Sequence, residues 1–259
     1  MEFPGKKRIR IGKNVQINVE RLDIGDGVLI GDNVTIEGTY VSIGDYTVIR
    51  ENTQILGKSP IVIGMSCWVG QGCILDATDS ITIGNGVGIG AHSQLWTHIR
   101  FGDPVEGCLW NSTKPMVIED DVWFVGHCLV SPIHAERKSM AMLGSVVSKD
   151  MEENHIYAGI PAKDITNKLG SQYQMRSSNE KYQSMVEELN SFARSHEING
   201  RIQIVKDWPI NLDPEISYFN VTTRQYTKIL SEIEMDFMLH LLMLIKFYPL
   251  QPSQANHLP

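Results

Sequence analysis

An aliphatic or other apolar residue recurs every six positions through most of the first 150 residues of the 259-residue chain. This interval matches neither the 3.6-residue period of an α-helix nor the simple alternation of a strand. It matches short strands joined by tight turns, in which glycine supplies permissive backbone conformations. The repeated apolar positions are Ile11, Ile17, Ile24, Ile30, Ile36, Ile43, Ile49, Ile55, Ile63, Val69, Leu75, Ile83, Ile89, Leu95, Ile118, Phe124, Val130, Ala141 and Val147.

The residues that exceed this interval fall at every third step. The steps that end at Ile43, Ile63, Ile83 and Ile118 are seven, eight, eight and twenty-three residues long. Insertions at every third step predict coils with three sides, stacked about 4.8 Å apart with their insertions at one corner. The expected fold is therefore mainly β, a triangular prism of parallel β-coils with an extended loop at 96–116. Three cysteines at the small positions of the repeat are expected in its interior, Cys67, Cys73 and Cys128.

The last part of the repeat carries two specific sequence patterns. After the polar stretch 131–140, residues 144–150 (GSVVSKD) restore the repeat, and residues 158–163 read AGIPAK. Over about residues 11–163 the chain resembles the hexapeptide-repeat acyltransferases, which fold as a left-handed β-helix, and it looks most like their sugar and polysaccharide O-acetyltransferase branch. The left-handed sense is what the resemblance implies. The alternative at this point is a generic parallel β-solenoid without activity.

The remaining third of the chain has a different pattern. We predict a β-helix acyltransferase domain over 1–165 and a C-terminal α+β appendage over 166–259. Apolar residues at helical spacing predict helices over Asn179–Glu197 and from about Thr223 to Phe247. Asn199-Gly200 predicts a hairpin turn between Ile198 and the segment Ile202–Val205, and the tail from Pro249 is expected to be loose.

Bulk properties limit the possible partners and compartments. The 23 Lys and Arg against 30 Asp and Glu give a net charge of −7, which argues against nucleic-acid binding. The N-terminal residues do not have the pattern of a signal peptide, and the apolar run 237–250 is too short to span a bilayer. The four cysteines form no CxxC pair, which indicates reduced thiols. We therefore expect a cytoplasmic protein.

His98 is the candidate catalytic residue. It follows the last regular apolar position, Leu95, where the chain leaves the repeat for the long loop. Acyl transfer from a thioester needs a base for the proton of the acceptor, and the pKa of histidine lies near working pH. His98 resembles the family's catalytic histidine at the start of the extended loop, which implies a general base.

Three tryptophans are candidates for binding the acceptor. Residues 118–124 (IEDDVWF) resemble the family's IGDxVWIG coil, in which the tryptophan, here Trp123, lies beside the histidine across a subunit interface. Trp96 and Trp110 flank the loop and could either stack on a sugar ring or stiffen the loop. The resemblance also implies a homotrimer.

The resemblance places acetyl-CoA, as the donor, along the last coils. It assigns the backbone around Gly126, Gly144 and Ser145 to the donor site. Lys149 would reach a phosphate, and Pro161 to Lys163 would lie near the adenine end. Val125-Gly126 replaces the glycine-first order usual in the family, and no role is favoured for the neighbouring His127.

Histidines His92, His98, His127 and His134 raise the alternative of a zinc site, because γ-class carbonic anhydrases share the expected fold. Those enzymes rely on an HxxxxH pair, which this chain lacks, so we expect no metal.

The expected function is acetyl-CoA-dependent O-acetylation of a saccharide, either a cell-surface polysaccharide such as a capsule or O-antigen or its sugar unit. N-acetylation of an amino sugar or of a nucleotide-linked amino sugar is the alternative within acyltransferases. A non-catalytic solenoid that serves in assembly is the alternative outside them.

Overall fold

The computed structural model describes residues 3–250 and divides into two compact units between Tyr173 and Gln174. This division lies eight residues beyond the predicted boundary at 165. The difference consists of a short helix and an irregular segment that follow the last strand of the first unit.

The first unit consists of short strands and one short helix. In chain order they are β1 (Arg10–Ile11), β2 (Gln16–Ile24), β3 (Leu29–Ile30), β4 (Thr35–Ile43), β5 (Val48–Ile49), β6 (Gln54–Gly57), β7 (Ile61–Ile63), β8 (Trp68–Val69), β9 (Ile74–Ala77), β10 (Ile81–Ile83), β11 (Gly88–Ile89), β12 (Gln94–Trp96), β13 (His98–Arg100), β14 (Asn111–Thr113), β15 (Met116–Ile118), β16 (Trp123–Phe124), β17 (Leu129–Val130), β18 (His134–Ala135), β19 (Met140–Ala141), β20 (Val146–Val147), β21 (Ile156–Gly159), β22 (Ala162–Asp164) and α1 (Thr166–Leu169).

Parallel pairing between successive coils stacks these strands into a prism with three sides. Side A contains β1, β3, β5, β8, β11, β16, β19 and β21. Side B contains β6, β9, β12, β17 and β20, and side C contains β7, β10, β15 and β18. The long strands β2 and β4 run from side B to side C without a break. The predicted fold class, mainly β with a three-sided parallel β-helix, is confirmed.

The repeated apolar residues fill the interior of the prism. Each side contributes one column, and neighbours in a column are register partners on adjacent strands. Ile30, Ile49, Val69, Ile89 and Phe124, for example, follow one another along side A and are at most 1% exposed. Cys67, Cys73 and Cys128 lie in the same core, as predicted.

Two of the three corners are uniform. Corner AB, between sides A and B, and corner CA, between sides C and A, each separate consecutive interior residues by six positions in every coil. At corner AB the side chains of Asn14, Asn33 and Asn52 form a ladder, with amide-to-amide distances of 3.1 and 3.2 Å. All three have φ between 55° and 60°, a region that asparagine tolerates better than most residues.

Close approach between coils explains the glycines that follow the interior residues. A Cβ on Gly44 at corner CA would lie 2.6 Å from the carbonyl carbon of Gly64 in the next coil. A side chain at residue 44 would push two coils apart, which explains the glycine at the same place in four successive coils, Gly25, Gly44, Gly64 and Gly84.

Corner BC, between sides B and C, absorbs every change in coil length. The step across it is seven residues in the first two coils, then eight, eight and twenty-three, and finally five and four in the last two coils. The prediction that insertions stack at one corner is confirmed. The polar stretch 131–140 begins at this corner, where the step from Val130 to Ala135 takes only five residues.

The second unit is an α+β fold, and it departs from two predictions. It contains α2 (Ser178–Ala193), β23 (Ile202–Val205), β24 (Ser217–Asn220), β25 (Gln225–Tyr226), α3 (Glu232–Leu241) and β26 (Tyr248–Pro249), and its sheet has the order β23-β24-β25-β26. Helix α2 matches the predicted Asn179–Glu197, with a capping box from Ser177 and Glu180 at its start.

The prediction of one helix from about Thr223 to Phe247 is wrong. The helix there is α3, of ten residues, because β25 and β26 on either side of it pair with each other in the sheet. Ser231 caps α3 by accepting a hydrogen bond from the backbone N–H of Glu234. The tail beyond Leu250 lies outside the described residues, and Pro249 itself belongs to β26.

The predicted hairpin at Asn199-Gly200 is also wrong. The two residues do form a turn, with φ of 49° and 73°, but β23 pairs in parallel with β24 instead of returning on an adjacent strand. The turn connects the end of α2 to the sheet. Within residues 3–250, no helix has both the length and the apolar character that crossing a membrane requires.

Candidate active site

The long loop at corner BC is anchored at both of its ends. Thr97 is fully buried, and its hydroxyl donates to the carbonyl oxygen of Asp76 at 3.0 Å and accepts from the N–H of Asp79 at 3.0 Å. The carbonyl oxygen of Thr97 accepts from the N–H of Lys114 at the far end of the loop. Between these ends β13 and β14 pair as an antiparallel hairpin. The residue after Thr97, His98, therefore has a defined position at the base of the hairpin.

His98 packs against two polar side chains of the coil below. Its Nδ1 lies 3.0 Å from Oγ1 of Thr78 and 3.4 Å from Oδ1 of Asp76. The Thr78 hydroxyl donates to the same Asp76 oxygen at 3.2 Å. The side chains of His98 and Asp76 are 23% and 22% exposed, so solvent only partly screens the pair.

These contacts favour the tautomer of His98 in which Nδ1 carries the proton. An ionised carboxylate only accepts hydrogen bonds, so the single Thr78 hydroxyl proton points to Asp76. The Thr78 oxygen then accepts a hydrogen bond, and the donor is Nδ1–H of His98. In this tautomer Nε2 has a free lone pair, and no hydrogen bond within residues 3–250 engages it. In this arrangement Nε2 is able to accept a proton.

Sequence reasoning missed Asp76 and Thr78. Asp76 is the register partner of Trp96 on the next strand, and Thr78 lies twenty positions before His98, which is one coil. Extending the register of the repeat past Leu75 and Leu95 into corner BC would have placed both residues below the histidine. The spacing of the repeat was therefore sufficient to place Asp76 and Thr78 next to His98.

The three candidate tryptophans have different surroundings. Trp96 meets His98 edge to face, with ring centroids 5.7 Å apart, and its Nε1 donates to the Gln94 side chain. Trp110 is 71% exposed in the loop. Trp123 lies on side A and is 43% exposed, whereas His98 lies at corner BC, so a single chain does not bring Trp123 onto the histidine's side of the prism.

The candidate donor-site residues lie in three places along the last coils. Gly126, Gly144 and Ser145 are together at corner AB, where the N–H of Gly144 donates to the carbonyl oxygen of Gly126 at 3.0 Å. Lys149 is exposed at corner BC. Pro161 and Lys163 belong to the hairpin of β21 and β22 at the edge of side A, where the Ile160–Pro161 peptide bond is cis.

Corner AB offers both space and a buried hydroxyl. A Cβ on Gly144 would meet nothing within 4 Å, so the surface beyond it is open. Ser145 is fully buried, and its hydroxyl has no hydrogen-bond partner among the residues that the structure describes.

The other histidines do not form a metal centre. The rings of His92 and His127 lie 5.0 Å apart at corner AB. His134 on side C pairs with Glu119 at 2.7 Å, and its hydrogen bond lowers the pKa of that carboxyl group. Over residues 3–250, no three His, Cys, Asp or Glu side chains are grouped so that they could hold a metal ion.

The core cysteines are poorly suited to covalent catalysis. Burial raises the pKa of the Cys67 thiol to about 12 and that of Cys73 to about 11. Because the thiolate is the nucleophilic form, thiols that stay protonated at neutral pH are inert.

No protein-family model matches the chain. Among solved structures, the polySia-specific acetyltransferase NeuO is 20% identical and aligns over 73% of this chain and 97% of its own, with a TM-score of 0.41. The N-acyltransferase AntD from Bacillus cereus, in complex with dTDP-4-amino-4,6-dideoxyglucose and coenzyme A, is 16% identical over 72% of this chain and 91% of its own, with a TM-score of 0.39. A maltose O-acetyltransferase from Clostridium difficile 630 is 19% identical over 61% and 69%, with a TM-score of 0.33. Similarities of this size do not assign an activity to the chain.

Proposed function

We propose that the protein is an acetyl-CoA-dependent acetyltransferase that acts on a hydroxyl group of a saccharide. The observation that carries the proposal is the arrangement of His98, whose Nδ1 is held by Thr78 and Asp76 while Nε2 has no partner among residues 3–250. A histidine held in this tautomer at the edge of an open loop is suited to remove a proton from an incoming acceptor.

In the proposed reaction, Nε2 of His98 takes the proton of the acceptor hydroxyl as its oxygen attacks the thioester carbonyl. The C–O bond forms first, and collapse of the tetrahedral intermediate breaks the C–S bond. The coenzyme A thiolate leaves and receives the proton from Nε2. Asp76 and Thr78 hold the imidazole in place throughout, and the carboxylate stabilises the imidazolium that forms in between.

A backbone N–H near Gly126 would stabilise the developing oxyanion. Direct transfer needs no acyl-enzyme, in keeping with the protonated thiols of Cys67 and Cys73.

The donor is proposed to bind along the last coils. The open surface over Gly144 supports a ligand at corner AB. The exposed cations Lys149 and Lys163 would reach phosphate groups of the donor. AntD, one of the proteins of similar fold, has been solved with coenzyme A bound.

The complete site is proposed to form between neighbouring copies in a homotrimer. Trp123 can meet His98 only if it comes from another chain, because the two residues lie on side A and at corner BC. Exposed apolar side chains in the loop, among them Phe101, Leu109 and Trp110, support the burial of this segment in the assembly. Trp96, Trp110 and Trp123 would line the acceptor pocket.

The experiment compares wild type with two histidine variants. Free thiol release from acetyl-CoA is measured with maltose, an oligomer of sialic acid, or glucosamine as acceptor. His98→Ala should lower kcat by at least about 100-fold, the contribution expected of a general base. His134→Ala is the matched control, since it removes another carboxylate-paired histidine away from the loop and should leave kcat within about twofold.

Three outcomes separate the alternatives. Acetylation of glucosamine on nitrogen alone would identify an amino-sugar N-acetyltransferase. Retention of more than about a tenth of the activity by His98→Ala would overturn the base assignment. A wild-type protein that neither releases thiol nor is stabilised against heat by millimolar coenzyme A would instead be an assembly module.

A further inference from the structure

Gly88 lies between two tryptophans on the outer surface of side A. It is the register partner of Trp68 on β8 and of Trp123 on β16. Glycine weakens a strand, and inside a strand it often marks a place where another group approaches closely. Its φ is not in the positive range that favours glycine, so the backbone at this position would accept another residue.

The group that approaches Gly88 is the indole of Trp123. A Cβ built on Gly88 would lie 2.9 Å from Cδ1 and 3.5 Å from Nε1 of Trp123, and the three nearest atoms all belong to that indole. At Gly44 or Gly64, by contrast, the nearest atoms include the backbone of the next coil. Glycine at position 88 therefore makes room for the Trp123 side chain, which lies against the strand surface that the missing Cβ leaves free.

We infer that Gly88 is a specificity-determining residue, which sets the width of the acceptor pocket through the position of the Trp123 indole. The inference rests on the proposed function, in which Trp123 lines that pocket. Carbon atoms in contact prefer separations of about 3.5 to 4.0 Å, so a methyl group on residue 88 would displace the indole outwards by roughly 0.6 to 1.1 Å. The indole is 43% exposed and can move in that direction without disturbing the core.

In the proposed trimer the displaced indole lines the acceptor pocket, whereas the hydrogen bonds that orient His98 are formed within one chain. Within that chain His98, Asp76 and Thr78 lie at corner BC and do not touch Gly88 or Trp123. A methyl group that narrows an apolar pocket is typically worth about tenfold or more in selectivity between acceptors. The expected signature is a higher KM for the saccharide, with kcat and the KM for acetyl-CoA close to those of the wild type.

The test is a double-mutant cycle with Gly88→Ala, Trp123→Ala and the double variant. Maltose, an oligomer of sialic acid and glucosamine serve as acceptor probes, and thiol release gives kcat and KM for each. Gly88→Ala should raise the KM for the preferred probe by about tenfold, with kcat within twofold. In the Trp123→Ala background the same substitution should change neither constant, because the displaced ring is absent.

Two further measurements test the same contact, and the first of them does not need Gly88→Ala to fold. Trp123→Phe alters the same contact from the other side, and its smaller ring should broaden the range of probes accepted. Tryptophan emission should differ between wild type and Gly88→Ala but be the same in the two Trp123→Ala proteins.

Two outcomes overturn the inference while leaving the proposed function intact. In the first, the wild type is active but Gly88→Ala leaves the KM for the acceptor unchanged. In the second, Gly88→Ala changes that KM equally in the wild-type and Trp123→Ala backgrounds. A wild type that transfers no acetyl group to any probe would overturn the proposed function, and the inference with it.

Discussion

At corners AB and CA the chain takes six residues from one interior position to the next in every coil, whereas at corner BC the step ranges from four to twenty-three. The uniform corners are held by contacts between successive backbones, as at Gly44, and by side-chain ladders such as Asn14, Asn33 and Asn52. Corner BC has room for side chains that contact other side chains, as Asp76, Thr78 and His98 do. The difference separates two corners that keep a constant step from one corner whose length varies and which carries the candidate base His98.

Substitution of Gly44 should reveal the rigidity of corner CA. Gly44→Ala places a Cβ 2.6 Å from backbone atoms of the next coil, and such overpacking should lower the free energy of unfolding by about 2 kcal/mol. Urea unfolding measures the loss, and kcat per folded molecule should not change.

Gly107→Ala is the matched control for that prediction, at the corner with the long loop. Residue 107 has φ of 87° but no atom within 4 Å of a Cβ, so only backbone strain of about 1 kcal/mol is expected. Equal losses for the two variants would show that the two corners do not differ in packing.

Removal of a charge at corner BC should lower activity and leave stability unchanged, in contrast to Gly44→Ala. Asp76→Asn keeps the size of the side chain but removes the carboxylate that, in the proposed reaction, stabilises the imidazolium of His98. We expect kcat to fall about tenfold, with the KM for acetyl-CoA and the melting temperature little changed.

Asp79→Asn is the control for Asp76→Asn, because Asp79 lies in the same corner but accepts from the N–H of Ser80 and does not touch His98. A comparable fall in kcat for both variants would show that loop geometry, and not the charge of Asp76, explains the effect. A normal kcat for Asp76→Asn would leave Thr78 as the residue that orients the imidazole.

The smallest predicted effect is the contribution of Asp164 to stability, at the point where the chain leaves the repeat. The hydroxyl and N–H of Thr166, and then His155, hold the pKa of Asp164 at about 2, below its ordinary value of 3.8. A lowered carboxyl pKa contributes stability that is fully present above the ordinary pKa and is lost as pH falls through the lowered one. Because 42% of the Asp164 side chain is exposed, solvent screening limits the contribution to about 1 kcal/mol or less.

The corresponding measurement is the difference in unfolding free energy between wild type and Asp164→Asn. It should shrink as the pH falls from about 4 to about 2. A difference that grows in that range would contradict the assigned sign.

Much of the fold follows from the sequence alone because the repeat is local and each coil reuses it. The interval of six placed Ile30, Ile49 and Val69 in one interior column, and the longer steps located corner BC. His98 stood out for the same reason, as a titratable side chain where the repeat is interrupted.

The second unit lacks such a repeat, and two predictions made for it from the sequence are wrong. The helical spacing around α3 also covers β25 and β26, whose assignment depends on pairing across more than twenty residues. Asn199-Gly200 specified the turn but could not specify which strand β23 would pair with.

By itself the sequence determined the three-sided β-helix, its buried columns and the corner that carries His98, because these depend on residues within one coil of each other. Only the tertiary structure showed that Asp76 and Thr78 hold Nδ1 of His98, that Trp123 lies on another side of the prism, and that Gly88 makes room for the indole. Those relations arise from the stacking of one coil on the next, and that stacking brings residues twenty or thirty-five positions apart into contact.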